Sequence, residues 1–177
     1  MNTLIVVDMQ NDFIDGALAN PAAAAIVKPM AEYIKDFEGE IIFTRDTHFR
    51  DYLDTQEGRN LPIPHCLYES DGWQVNETLA DAAFEGRDYM HDPWAGCVDK
   101  HSFGDISGIE EAIDSHTNRI YICGTCTDIC VISVALNLKA LFPEKPIVCL
   151  SQLCAGLTPE KHEAALEVMR SCQIEVI

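Results

Sequence analysis

Leu4-Ile5-Val6-Val7-Asp8-Met9-Gln10-Asn11-Asp12-Phe13 opens the chain with an unbroken apolar run that stops at a carboxylate. The run does not alternate between apolar and polar, so it predicts a strand buried on both faces, the habit of parallel sheets. β-Branched runs of the same kind recur at 40–44, 119–123, 146–150 and 174–177. Helical spacing lies between them. Residues 26–37 carry one such pattern, with Pro29 admissible only in a first turn. A weaker one covers 106–113. The clearest covers 128–141, with Thr127 or Asp128 as N-cap and Pro143 just past its end. A last helix is expected over 159–171, where Thr158 caps, Pro159 takes the first position and Glu160 and Glu163 suit the dipole. Strand and helix alternate, which predicts an α/β fold: a parallel sheet, helices on both faces, and functional residues at the carboxyl ends of the strands.

The segment 48–93 fits this alternation least, being long, polar and rich in Pro, Gly, Asp and Trp; such a stretch usually carries function or small elements of its own. Neither a repeat nor a low-complexity tract interrupts the chain, so a single domain over 1–177 is expected. Of the 177 residues 47% are apolar and 23% charged, an ordinary globular mixture. Twelve basic against 29 acidic side chains leave a formal charge of −17, a field that repels nucleic acid and anionic lipid. With no apolar stretch near the roughly 18 to 20 residues of a membrane span, a soluble, cytoplasmic protein is expected. The eight cysteines are read mostly as reduced packing residues, including Cys97, Cys123, Cys149 and Cys172.

Polar residues stand at three strand ends: Asp8, the pair Asp46 and His48, and Cys130 within Gly124-Thr125-Cys126-Thr127-Asp128-Ile129-Cys130-Val131. A thiol at the start of a helix feels the partial positive charge of unpaired amides, which lowers its pKa toward the reactive range. The same amides can receive a developing oxyanion. A thiolate needs a partner that moves protons and a cation nearby, and Asp8 and Lys100 are candidates for those parts. Each residue alone has a plainer explanation: a turn carboxylate, a solvated lysine, a packed thiol.

Four stretches together resemble the isochorismatase-like cysteine hydrolases: 4–13; Phe43-Thr44-Arg45-Asp46-Thr47-His48; Asp99-Lys100-His101-Ser102-Phe103; and 124–131. The resemblance implies a doubly wound, six-stranded parallel sheet, its third core strand near 96–100, and a homo-oligomer. It also implies a catalytic triad. Asp8 is then the general base, Lys100 steadies the charged partners, and Cys130 attacks an amide carbon to form a thioester that water hydrolyses. A cis peptide between Thr125 and Cys126 is implied as well, with the backbone amides of Cys126 and Cys130 as the oxyanion hole.

Within that family the nicotinamidase-like branch is the nearest in pattern. Asp46 and His48, two apart, and His65 after a Pro-rich run look like ligands for a divalent ion, zinc by family habit, with iron or manganese as alternatives. For a fourth ligand Glu57 is the best substitute, with Asp51 and Asp54 also in reach. Phe13 matches one wall of the substrate pocket and Thr125 lies beside it. Leu61 stands where nicotinamidases often place an aromatic ring, for which Trp73, Tyr68 or Trp94 would compensate.

The expected reaction is thus conversion of a small amide to acid and ammonia, nicotinamide to nicotinate first. The alternatives are a ureido, carbamoyl or other small amide, a thiol-redox protein using the Cys123-Gly124-Thr125-Cys126 pair, or a non-catalytic binding scaffold. His91, His101, His116 and His162 lack ligand-like spacing and are read as surface or satisfied core residues.

Overall fold

In the computed structural model, which describes residues 1–84, 96–113 and 116–177, the chain runs β1 (Asn2–Val7), α1 (Asn11–Ile14), α2 (Pro21–Asp36), β2 (Gly39–Asp46), α3 (Gln56–Asn60), α4 (Glu77–Phe84), β3 (Cys97–Lys100), α5 (Ser107–Ala112), β4 (Arg119–Thr125), α6 (Ile132–Leu141), β5 (Ile147–Ala155), α7 (Pro159–Ser171) and β6 (Glu175–Val176). All six strands join one parallel sheet in the order β3-β2-β1-β4-β5-β6. Leu4 to Val7 are wholly excluded from solvent at its centre, which is why that run is apolar throughout. From β1 the chain moves outward in one direction to β2 and β3, then returns to β4 and moves the other way. Right-handed crossovers therefore lay α2 and α4, which pack together, on one face, and α6 and α7 on the other. The reversal falls between β1 and β4. Outside the carboxyl ends of those two strands a doubly wound sheet opens a crevice.

The helix expected at 26–37 begins earlier, at Pro21, because the Asn20 side chain accepts the Ala22 amide and Pro21 supplies the first turn. Pro29 consequently lies inside the helix rather than in its first turn. The helix expected from Asp128 starts differently too. Thr127–Val131 forms a π-turn, and the regular α-helix begins only at Ile132. Neither Thr127 nor Asp128 is an N-cap: Cys126 caps the π-turn and Val131 the α-helix, both without a side-chain bond, and Asp128 instead accepts the Leu157 amide at 2.9 Å.

Gly124 shows how tightly β4 meets β1. Its φ of +123° belongs to the left-handed side of backbone space, and a Cβ there would stand 2.1 Å from the Val7 carbonyl oxygen. Among the described residues no helix is long and apolar enough to cross a membrane. Cys123 and Cys149 are buried as expected, whereas Cys172 is exposed at the end of α7. His91 and Trp94 lie outside the described residues.

Candidate active site

Asp8 follows β1 with a φ of +50°, which turns the chain off the sheet and leaves its side chain at the reversal point. Its amide donates to the Thr44 carbonyl at 3.2 Å, and the Thr44 hydroxyl donates to Asp8 Oδ1 at 2.5 Å. Lys100, the last residue of β3, reaches Asp8 Oδ2 at 2.9 Å, with both side chains at 0% exposure. A lysine without water is stable only beside a negative charge. Burial disfavours its ammonium, but Asp8, then Cys130 and Asp46, outweigh that and hold its pKa above the ordinary value. For Asp8 the balance goes the other way: burial raises its pKa more than Lys100 lowers it.

Cys130 sits in the π-turn, 6% exposed, with its thiol in the field of the Asp8 carboxylate and the Lys100 ammonium. The expectation that a helix start would acidify this thiol is reversed. Burial first and the Asp8 charge second push its pKa well above the ordinary value, and Lys100 only partly offsets them. The Cys130 thiol therefore rests protonated, beside a carboxylate able to take the proton. The Thr125–Cys126 peptide is cis. The Thr125 hydroxyl turns away to the Ala155 carbonyl, at 3.1 Å.

Asp46 ends β2 in register with Lys100. Its Oδ2 lies 3.0 Å from His48 Nε2 and 3.4 Å from His65 Nε2, while Glu57 Oε1 lies 3.6 Å from His48 Nε2. One ligand atom from each of the four residues falls within 4.8 Å of all the others. Glu57, in the first turn of α3, joins this group; Asp51 and Asp54, before and within the preceding 3-10 turn Tyr52–Asp54, do not. The donor set fits a divalent ion. His65 Nδ1 is 2.8 Å from the Ile63 carbonyl, which can only accept, so Nδ1 carries a proton and Nε2 is the ring atom aimed at the group, able to ligate an ion once the ion displaces the proton it shares with Asp46. Two imidazoles and two carboxylates converge, the chemistry of zinc, iron or manganese sites. Burial works against the Asp46 charge, yet hydrogen bonds from His48 and His65 hold its pKa below the ordinary range.

A single cavity of about 660 Å³ joins the two clusters, with Cys126 and Cys130 in one wall and Asp46, Glu57 and His65 in another. Phe13, Leu61, Ile129 and Leu157 supply apolar surface. Leu61 thus does face the cavity. Trp73 and Tyr68 do not replace the missing ring there: the Trp73 ring carries the Arg45 guanidinium 3.7 Å from its centroid and donates Nε1–H to Thr47, and Tyr68 packs on Trp73. His101 stands at the cavity rim, stacked on Phe49. His162 is satisfied by Thr127 of the π-turn, 2.8 Å away.

Several contributors had no signal in the sequence. Thr44 and the Tyr52 ring, which packs on His48 and His65 with centroids 4.6 and 5.1 Å apart, are of this kind. The redox reading fares poorly, since Cys123 is fully buried in β4 with burial raising its pKa, whereas Cys126 faces the cavity.

The fold is thus of the doubly wound α/β class, with a carboxylate, an ammonium and a thiol gathered at its strand-order reversal. The chain belongs to the isochorismatase family, whose model, the Isochorismatase domain, matches residues 2–177. It is 25% identical to a nicotinamidase of Schizosaccharomyces pombe, covering 98% of this chain and 91% of that one. Among solved structures, a zinc complex of a pyrazinamidase of Pyrococcus horikoshii is 29% identical with a TM-score of 0.75, covering 99% of this chain and 98% of that one. An N-carbamoylsarcosine amidase of Thermoplasma acidophilum is 26% identical with a TM-score of 0.73, covering 99% and 95%.

Proposed function

We propose that this protein is a metal-assisted cysteine amidohydrolase that converts a small amide, nicotinamide first, into its acid and ammonia. The observation that carries the reading is the shared cavity: Cys130, whose thiol feels the Asp8 and Lys100 charges, and Asp46, Glu57 and His65 of the four-residue group open onto the same space. The nicotinamidase and pyrazinamidase relatives favour the same chemistry.

In this reading Asp8 takes the thiol proton as Cys130 Sγ attacks the amide carbon. The carbonyl oxygen becomes an oxyanion, which the Cys126 and Cys130 backbone amides receive. Asp8 returns the proton to the leaving nitrogen, ammonia departs, and a thioester remains. Asp8 then accepts a proton from water as it attacks the thioester; the C–S bond breaks, Asp8 hands that proton to the departing Cys130 sulfur, and the acid leaves. Lys100 keeps the Asp8 carboxylate compatible with burial throughout. A divalent ion held by Asp46, His48, Glu57 and His65 would supply a Lewis-acid anchor for an electron-rich atom of the substrate, such as a ring nitrogen. Leu61 and the likeness to an N-carbamoylsarcosine amidase favour one second reading, a carbamoyl substrate in the same site.

Ammonia release from nicotinamide, followed with an N-carbamoyl amino acid in parallel, tests the assignment. Turnover of nicotinamide with kcat/KM at least about tenfold above the carbamoyl compound is the expected result; the reverse ratio transfers the assignment, and no ammonia from either removes it.

A protonated Asp8 cannot accept the thiol proton, so activity is present above its pKa and lost below. That pKa is raised above 3.8 by burial, which places the acidic limb of kcat/KM above the ordinary carboxylate range. A limb at or below 3.8 would contradict a buried base. Removing bound metal with a chelator is expected to lower kcat/KM about a hundredfold, with recovery on adding zinc, since a Lewis-acid ion typically stabilises charge by several kcal/mol. Unchanged turnover in chelator, with metal content near zero, would show the ion to be dispensable.

A further inference from the structure

Gln10 is a wholly buried side chain that the reaction does not use. It lies just beyond the point where β1 leaves the sheet, and its own backbone bridges to Val75 on the other side. β1 pairs with β2 as far as Val6 opposite Phe43, and the Asp8 amide still reaches Thr44. Past Asp8 the left-handed backbone carries the chain away, so β2 runs on to Asp46 without a strand on that flank. The Gln10 amide group fills that place. Its Oε1 accepts the Asp46 backbone N–H at 2.7 Å, and its Nε2 donates to the Asp46 carbonyl at 2.9 Å. The second Nε2 proton goes to the Trp73 carbonyl, also at 2.9 Å. One side chain thus imitates a neighbouring strand for a single residue.

That residue is Asp46, whose carboxylate stands within 3.4 Å of both histidines of the ligand group. Clamping its backbone on both sides fixes where Cα points Cβ, and hence where the carboxylate lies. Asp12, two residues further along, does something similar at the other end of the group: its Oδ2 accepts the amide of Cys66, next to His65, at 2.7 Å.

We infer that Gln10 is a positioning residue for the metal site, which ties the placement of Asp46 to the turn that presents Asp8. The inference rests on the proposed reading of Asp46, His48, Glu57 and His65 as metal ligands, and it adds a residue that touches neither ion nor substrate. Groups that hold a ligand in this way typically account for 10–100-fold in metal affinity. Gln10→Met keeps the length of the side chain and deletes all three hydrogen bonds.

The test uses cobalt(II) as probe on the full chain, measuring its dissociation constant by chelator competition and its visible d–d absorption. Alkylation of Cys130 by iodoacetamide in the metal-free protein is the control for the nucleophile. Gln10→Met is expected to bind cobalt about 10–100-fold more weakly, with a shifted d–d band and a metal-free alkylation rate within about threefold of the parent. Gln10→Glu, which keeps the acceptor for Asp46 N–H but sets oxygen against two carbonyls, is expected to weaken binding in the same direction.

Cobalt affinity and spectrum unchanged in Gln10→Met would overturn the inference while leaving the metal reading intact. A parent protein that takes up no cobalt would overturn both. Loss of folding in both variants, seen by circular dichroism, also counts against it, because Gln10 would then be a structural residue and not a positioning one.

Discussion

Replacing Cys130 with alanine is expected to lower kcat for amide hydrolysis by about 10⁴- to 10⁶-fold, the usual scale for loss of a covalent nucleophile, while Cys126→Ser stays within about tenfold of the parent. Both thiols face the cavity, so exposure does not distinguish them. Position does. Cys130 lies in the field of Asp8 and Lys100, whereas the Cys126 sulfur stands 3.4 Å from the Thr125 hydroxyl and would offer the reaction only its backbone amide. Serine keeps that amide. Cys130→Ser is expected to be nearly as inactive as the alanine variant, because a hydroxyl is far harder to deprotonate than a thiol and Asp8 is already a modest base for a buried Cys130. Initial rates of ammonia release in the three variants decide the matter. Activity that follows Cys126 would transfer the nucleophile role to it and break the mechanism proposed above.

Lys100→Met is expected to cost about 3–5 kcal/mol of stability at neutral pH, the range for removing one partner of a buried ion pair, and to abolish turnover. Both side chains are at 0% exposure, so no water can stand in for the lost ammonium. The sign of the pH dependence follows from Asp8. Its pKa in the folded chain already lies above the ordinary 3.8, and removing Lys100 raises it further. A raised acid contributes most to stability below its unfolded pKa and loses that contribution as pH climbs through the interval up to the folded one. The deficit of Lys100→Met is therefore largest at neutral pH and shrinks toward pH ~4. Adding Asp8→Asn to Lys100→Met removes the stranded charge, and most of the loss in urea midpoint is expected to return without any return of activity. A double variant no more stable than Lys100→Met would mean that the lysine stabilises the fold through something other than this pair.

These two experiments separate quantities that a sequence mixes together. Asp8 and Lys100 are 92 positions apart in the chain, and nothing local announces that they pair. Lys100 by itself reads as a solvated charge; only the Asp46–Lys100 register, which sets the edge strand β3 against β2, brings its side chain to Asp8 and out of water. The Cys130 pKa departs from the local expectation for the same reason. The thiol's place near a helix start is visible locally and argues for a low pKa, but desolvation and a carboxylate from the first strand exceed that dipole.

Residues 4–13 and the recurring apolar runs were by themselves enough to determine an alternating α/β chain with chemistry at its strand ends, because two-sided burial and turn chemistry leave short-range marks on residue choice. The four stretches that carry the family resemblance were likewise legible, as was the candidate trio Asp46, His48 and His65, which the structure brings together. Tertiary structure alone decided that Glu57, not Asp51 or Asp54, closes that group, that Thr127–Val131 is a π-turn, and that Gln10 completes the edge of β2. Each of these depends on which distant segments exclude water and aim their polar atoms at one point, and that is a property of the packed sheet rather than of any stretch of chain.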